Sequence, residues 1–210
     1  MEGKDLSSTF PIPPVDFPLE LMRRGLLLVG KFKLASGKES PYYIDLRRLP
    51  SYPDLFNYVV EKVIESVRPL SFDYIVGVAT GGVPLASFIA CRLNMPMGYV
   101  RVEKKTYGTS REVEGEVKGR KVVVIDDVAT TGGSIERAVL ALREEGAEVV
   151  GAAVVVDRQE GAERNLSRIG VKLVSAFKVR EILEGLLSSP DLRDEEKESI
   201  KAYIAQNLVE

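Results

Sequence analysis

Two adjacent carboxylates, Asp126 and Asp127, are followed at once by Val128-Ala129-Thr130-Thr131-Gly132-Gly133-Ser134. Each residue type in this run suits a phosphorylated sugar. Two glycines let the backbone curl closely around an anion. Successive amide N–H groups leading into a helix N-terminus make a phosphate site, and Thr130, Thr131 and Ser134 add hydroxyl donors. The carboxylates cannot favour phosphate, but they accept hydrogen bonds from sugar hydroxyls or from water on a magnesium ion. A phosphate cradle beside an acid pair that takes a diol is the chemistry of a ribose 5-phosphate site. The run is neither a Walker loop, since no Gly-Lys-Ser/Thr follows, nor a Gly-x-Gly-x-x-Gly dinucleotide fingerprint.

Composition excludes other chemistries. The 210 residues include no histidine and one cysteine, Cys91. Ser-His and Cys-His nucleophilic catalysis, His-ligated zinc and an intrachain disulfide are therefore excluded. A formal net charge of -2 gives no whole-molecule field to recruit nucleic acid or an anionic membrane. The N-terminus does not read as a signal peptide, and the apolar runs are too short to span a bilayer. A reducing, cytoplasmic setting is expected.

The elements that must position the acid pair follow from hydrophobic period. Lys121 to Ile125 reads as a buried parallel strand ending at Asp126. Ser134 to Glu145 reads as a helix stopped by Gly146. Helical spacing is expected over Asp54–Val67, Val83–Leu93, Glu163–Ile169 and Val179–Leu187. Strands are expected over Tyr74–Val78, Met97–Val102, Val149–Val156 and Val171–Ala176. A terminal helix is expected over Asp191–Leu208. Near the N-terminus, a helix from about Leu19 to Leu27 precedes strands Lys31–Leu34 and Tyr42–Leu46, joined by the polar turn from Ala35 to Pro41. Glu103 to Gly119 has no apolar stripe and reads as a long loop, with at most a frayed ribbon. This alternation predicts an α/β fold, a mostly parallel central sheet with helices on both faces, plus a small N-terminal hood hairpin. One domain is expected over 1–210, with the hood at about 1–50 and a mobile catalytic loop at about 103–118.

Val122 to Ser134 resembles the signature of the type I phosphoribosyltransferases, which bind phosphoribosyl pyrophosphate. Four more segments resemble orotate phosphoribosyltransferases, in that family's order: Phe32 to Asp45, Tyr74 to Pro84, Arg101 to Gly108 and Val156 to Glu160. The resemblance implies that Asp126 and Asp127 contact the ribose hydroxyls. It implies that the loop Ala129 to Ser134, with Val128, cradles the 5-phosphate. Thr80, Gly81 and Gly82 would hold pyrophosphate through backbone amides. Arg101, Lys104, Lys105 and Tyr107 would lie on a catalytic loop, with Lys105 its main charge or proton donor. Tyr42 and Tyr43 would offer an aromatic platform to orotate, with Ile44 and Thr130 beside it. Arg158 would pair the orotate carboxylate, as a guanidinium fork is suited to do. The sequence departs from the family at Ala35 and Gly81, which are Lys in some members. Val102 sits where a second basic residue often follows the Arg, and Tyr107 where many members have His.

The implied reaction joins orotate to phosphoribosyl pyrophosphate, giving orotidine 5-phosphate and pyrophosphate. Mg2+ is the implied cofactor, held through substrate and water near Asp126 and Asp127 with no direct protein ligand. A homodimer sharing the loop across its interface is also implied, with no nucleic-acid or membrane partner. The alternatives are a purine phosphoribosyltransferase, which should lack Ser40-Pro41-Tyr42-Tyr43 and Asp157-Arg158, and a non-catalytic sensor of phosphoribosyl pyrophosphate, which should show a basic face or an added domain.

Overall fold

The structure, a computed structural model, describes residues 15–33, 39–101 and 112–208. In chain order it runs α1 (Phe17–Arg23), β1 (Leu27–Lys33), β2 (Glu39–Ile44), a 3₁₀ helix (Leu46–Ser51), α2 (Pro53–Val67), β3 (Tyr74–Val78), α3 (Gly82–Leu93), β4 (Met97–Val100), β5 (Val113–Glu114), β6 (Lys121–Ala129), α4 (Gly133–Glu144), β7 (Glu148–Asp157), α5 (Ala162–Arg168), β8 (Leu173–Lys178), α6 (Val179–Leu187) and α7 (Asp194–Asn207).

Six strands form one sheet in the order β5-β4-β3-β6-β7-β8. All its pairs are parallel except β4 with β5, which is antiparallel at the edge. Val122 to Ile125 are fully buried at its centre, as a strand covered on both faces requires. Alternation along β6 sends Val123 and Ile125 to one face. There they join Ile75, Ala153 and Val155 beneath α2, α3 and α6. Val122 and Val124 join Val76, Ala152 and Val154 beneath α4 and α5. Full burial of each valine or isoleucine side chain here stabilises by roughly 2 kcal/mol, so these two layers hold the sheet in place. The expected architecture is borne out, including the antiparallel hairpin β1–β2 near the N-terminus.

Several boundaries differ from expectation, for local reasons. Helix α1 stops at Arg23, short of Leu27, because Gly25 takes a left-handed conformation (φ 64°). The Leu26 N–H then bonds back to Leu21 O at 2.9 Å, and the chain leaves as β1 at Leu27, earlier than Lys31. β2 begins at Glu39 and ends at Ile44. The next residues turn into the 3₁₀ helix, where the Asp45 carboxylate accepts the Arg47 N–H at 3.1 Å. β8 lies two residues beyond the expected 171–176, and α7 starts at Asp194, after an Arg193–Glu196 capping pair. β5 falls within the stretch read as loop. Tyr74 ties that edge down: its hydroxyl accepts from Glu116 N at 3.1 Å and donates to Met97 O at 3.0 Å.

Arg24 fastens the hood to the body. Its guanidinium donates to both Asp54 carboxylate oxygens (2.7 and 2.6 Å) and to Glu20 Oε2 (2.9 Å from Nε). The Arg24 bond holds the Asp54 carboxyl down, at about 2.

Candidate active site

β6 does not end at Ile125. It continues through Asp126 and Asp127 to Ala129, because its parallel pairing with β7 persists through Asp126–Val154, Val128–Val156 and Ala129–Asp157. The acid pair follows strand alternation at its base, but the two carboxylates lie close enough to act on each other directly. Asp126 shares the face of Val122 and Val124 and lines the cleft at the start of α4. Asp127 shares the face of Val123 and Ile125 and meets Gly81, where an added Cβ would overlap its carboxylate. Each carboxylate also accepts a backbone N–H: Asp126 Oδ1 from Asp127 N, and Asp127 Oδ1 from Val128 N, both 2.9 Å. Burial, then repulsion by Asp127, raises Asp126 well above the ordinary carboxylate range. Burial raises Asp127 also, against the lowering pull of the Arg47 charge and the hydrogen bonds it accepts.

The cleft has a volume of ≈ 500 Å³ and is lined by Asp126, Val128 to Ile135 and Arg137. Gly132, at φ 84°, makes the turn into α4. A Cβ at Gly132 would press on Leu166 at 3.2 Å, so glycine serves both conformation and packing. No side chain caps α4, which leaves its first N–H groups pointing into the cleft. α5 braces the loop from behind: Asn165 Nδ2 donates to Thr131 O at 2.9 Å. A concave wall of amides and hydroxyls with one acid at its edge is a receptor for a sugar phosphate.

The junction of β3 and α3 forms the second wall. Its Ala79–Thr80 peptide is cis. Gly82 lies against β6 so closely that a Cβ would overlap Ile125 O, and α3 also lacks a side-chain cap. Gly81 thus stands directly beside Asp127, and Gly82 against Ile125 and Asp126. Arg101 follows β4, where its guanidinium is held by Glu114 (2.7 Å) and the Tyr99 hydroxyl (3.2 Å). Lys104, Lys105 and Tyr107 lie outside the described residues, as does Ala35.

The third wall begins at the end of β7. The Arg158 N–H donates to Ala129 O at 2.9 Å, which sets the arginine beside the phosphate loop. Its side chain is buried, with the guanidinium carbon 5.0 Å from the centre of the Tyr42 ring. Nη2 lies 2.8 Å from Glu160 Oε1, but off the N–H direction, so neither Nη2 nor Nε completes a hydrogen bond. Arg158 is thus a buried guanidinium with one bent ion pair to Glu160, a group suited to a carboxylate ligand. Burial works against the Arg158 charge, but Tyr42, Glu160 and Tyr203 outweigh it and hold the group above its ordinary value.

Tyr42 and Tyr43 do not form one platform. Successive residues of β2 point to opposite faces: Tyr42 is fully buried with its hydroxyl unbonded, whereas Tyr43 is 38% exposed and packs on Phe32. Ile44 is buried in the core opposite Leu27, so only its backbone faces outward chemistry.

Comparison with known proteins agrees with this geometry. Residues 55–186 match the family model described as phosphoribosyl transferase domain. The orotate phosphoribosyltransferase of Sulfurisphaera tokodaii is 52% identical over 194 residues, 92% of this chain and all of that protein. The chain belongs to the orotate phosphoribosyltransferase family. Among solved structures, the orotate phosphoribosyltransferase from Aeropyrum pernix is 45% identical with a TM-score of 0.76, over 81% of this chain and 97% of that one. The Mycobacterium tuberculosis H37Rv orotate phosphoribosyltransferase in complex with 5-phospho-alpha-D-ribosyl 1-diphosphate is 30% identical with a TM-score of 0.65, over 80% and 99% of the two chains.

Within this family fold, three residues near the site escaped the sequence reading. Arg137 lines the cleft one turn into α4; its place, four residues after Gly133, was the available signal. Arg47 sits on the unexpected 3₁₀ helix, held by Asp45 through two bonds of 2.8 Å, with its charge acting on Asp127. Tyr203 comes from α7, 45 residues after Arg158, and nothing local announces it. A larger cleft of ≈ 1040 Å³ is lined by Asp157, Gln159 and Glu160 together with residues of α5 and β8. Within it Lys178 pairs with Asp157 (2.8 Å) and Glu163 (3.7 Å).

Proposed function

We propose that this chain transfers the ribose 5-phosphate group of phosphoribosyl pyrophosphate to orotate, releasing orotidine 5-phosphate and pyrophosphate. The observation that carries the reading is the adjacency of Arg158 to Ala129: the Arg158 main-chain N–H is bonded to the phosphate loop, and the same residue carries a buried guanidinium. A carboxylate-bearing base and a sugar phosphate would then lie side by side.

The bond that breaks joins the anomeric carbon to a pyrophosphate oxygen. Positive charge grows on the ribose ring and negative charge on the leaving group, so catalysis is mainly electrostatic and positional. Asp126 and Asp127 orient the ribose hydroxyls. The amides at Thr80 to Gly82 take the pyrophosphate, with Arg101, Lys104 and Lys105 arriving on the loop. Orotate reacts as an anion, which removes the need for a strong base in a chain without histidine.

Mg2+ fits this arrangement as a substrate-borne ion. No group of three or more His, Cys, Asp or Glu able to hold a metal occurs among the described residues. Two buried like charges at Asp126 and Asp127 favour nearby cations, and Mg2+ commonly keeps several waters and binds through one or two carboxylates plus phosphate oxygens. When bound, it would neutralise charge on the departing pyrophosphate. We further infer a homodimer, a reading supported by the resemblance of Arg101 to Gly108 to a loop shared between subunits and by Phe88, 47% exposed on α3. Light scattering tests it. A cytoplasmic setting is supported by the single unpaired cysteine; no described helix is long and apolar enough to cross a membrane.

The deciding assay supplies phosphoribosyl pyrophosphate and magnesium with orotate, beside adenine, hypoxanthine and uracil. Turnover with orotate alone is expected. Turnover with a purine and none with orotate would overturn the specificity.

A further inference from the structure

One face of α5 holds the phosphate loop. Ala162, Asn165 and Leu166 follow the i, i+3, i+4 spacing that puts side chains on the same side of a helix. Ala162 and Leu166 are fully buried. A Cβ added to Gly132 would come within 3.2 Å of the Leu166 side chain and 3.4 Å of the Ala162 backbone, so the loop rests directly on this face. Asn165 adds a directed contact, donating from Nδ2 to Thr131 O at 2.9 Å. It is not among the residues that line the α4 cleft, so its route to that cleft is the Thr131 carbonyl.

The Thr131–Gly132 peptide is trans. A trans peptide is planar, with its C=O and its N–H pointing in opposite directions. Fixing the carbonyl towards α5 therefore turns the Gly132 N–H to the opposite side, where the cleft lies. That N–H makes no backbone hydrogen bond among the described residues. Gly132, at φ 84°, has no Cβ to resist rotation of the peptide, so the plane needs an outside hold. A flipped peptide would present its carbonyl oxygen to a phosphate and replace a donor with a repelling acceptor.

We propose that Asn165 is a positioning residue of the donor site, which fixes the Thr131–Gly132 peptide so that the Gly132 N–H is aimed at the phosphate of an incoming sugar phosphate. Asn165 touches no substrate; it acts through the orientation of one peptide plane. The inference rests on the reading that the α4 cleft takes the ribose 5-phosphate end of the donor.

The test uses the full chain, with ribose 5-phosphate as the probe. Asn165→Leu keeps the size of the side chain and removes its donor. It should raise the Kd for ribose 5-phosphate and the KM for phosphoribosyl pyrophosphate about three- to tenfold, the range of one lost hydrogen bond. The KM for orotate should stay unchanged, which a general loosening of the fold would not allow. The proposal is overturned if Asn165→Leu leaves the Kd for ribose 5-phosphate unchanged, or if the orotate KM rises as much as that of the donor. Amide resonances of the unaltered chain, titrated with ribose 5-phosphate, decide the matter even should the variant fail to fold. The Gly132 resonance should move with those of Gly133 and Ser134; an unmoved Gly132 beside shifting neighbours overturns the proposal. If ribose 5-phosphate moves no resonance from Thr130 to Ser134, the reading of the cleft fails and the proposal with it. If it moves them all while Asn165→Leu binds as tightly as the unaltered chain, the proposal alone fails.

Discussion

Gly81 and Asp127 pack so closely that a methyl group on the first would occupy the space of the carboxylate on the second. The contact joins the two glycine-bearing junctions of the sheet, since Gly81 opens α3 and Asp127 lies in β6. The Gly81 backbone is in the ordinary right-handed region (φ -65°, ψ -35°). A side chain there is excluded by the neighbour and not by the backbone.

Gly81→Ala is therefore expected to fold normally but to push Asp127 off its rotamer, at a cost of about 1 kcal/mol. The KM for phosphoribosyl pyrophosphate should rise several-fold while that for orotate changes little. Varying each substrate in turn checks this, and equal effects on both would count against the assignment.

Asp126→Asn should make the protein more stable and much less active. Asp126 and Asp127 both have carboxyl groups raised above the ordinary 3.8. Between 3.8 and those raised values the folded chain holds protons that the unfolded chain has lost. Stability from this pair is thus greatest at low pH and falls as pH rises through the window. The higher the pH, the more of this penalty applies, and the amide removes part of it. Thermal melts should show Asp126→Asn a few degrees above the unaltered protein at pH 7, the gap narrowing towards pH 4. Turnover should fall about a hundredfold or more, as for loss of a group preorganised for the transition state.

Glu114→Gln tests how Arg101 is held in reserve. The ion pair at 2.7 Å is partly exposed, so breaking it costs little, on the order of 0.2–1 kcal/mol. Freed from Glu114, Arg101 should bind the pyrophosphate group more readily. The KM for phosphoribosyl pyrophosphate is expected to drop up to about fivefold, and raised salt should shrink the difference. An increase would mean that Glu114 aims Arg101 correctly.

Lys105→Ala should lower turnover well over tenfold with a modest change in KM, because a loop cation acts on charge that develops as pyrophosphate departs. Single-turnover kinetics would separate this chemical effect from product release. Near-normal turnover would remove Lys105 from its assigned role.

The donor half of the site was largely legible in the sequence. The run from Asp126 to Ser134 combines acids, glycines and hydroxyls that only a strand–loop–helix junction arranges usefully, and the cleft at α4 is lined by it. The strand's true end was not legible, because Asp126 and Asp127 are poor strand formers and only their pairing with β7 keeps them in register. That misplacement hid the different neighbours of the two acids, the α4 cleft for Asp126 and Gly81 for Asp127. Strand alternation separated Tyr42 from Tyr43. Arg47 and Tyr203 were invisible for a different reason: each reaches the site by tertiary packing, from a 3₁₀ helix and from the far end of the chain, with no local spacing to mark it.

The hydrogen bond from Arg158 to Ala129 O has an evolutionary corollary. On the proposed reading, donor and acceptor recognition would sit on neighbouring strands, β6 and β7, whose separation is fixed by the roughly 4.8 Å pitch of any sheet. The tip of β7 can be rewritten to accept a different ring while β6 keeps its grip on the sugar, because the spacing between the two reactants is inherited from the backbone and owes nothing to either side chain. A scaffold of this kind diversifies by exchanging one strand tip at a time, with the reaction centre already in register.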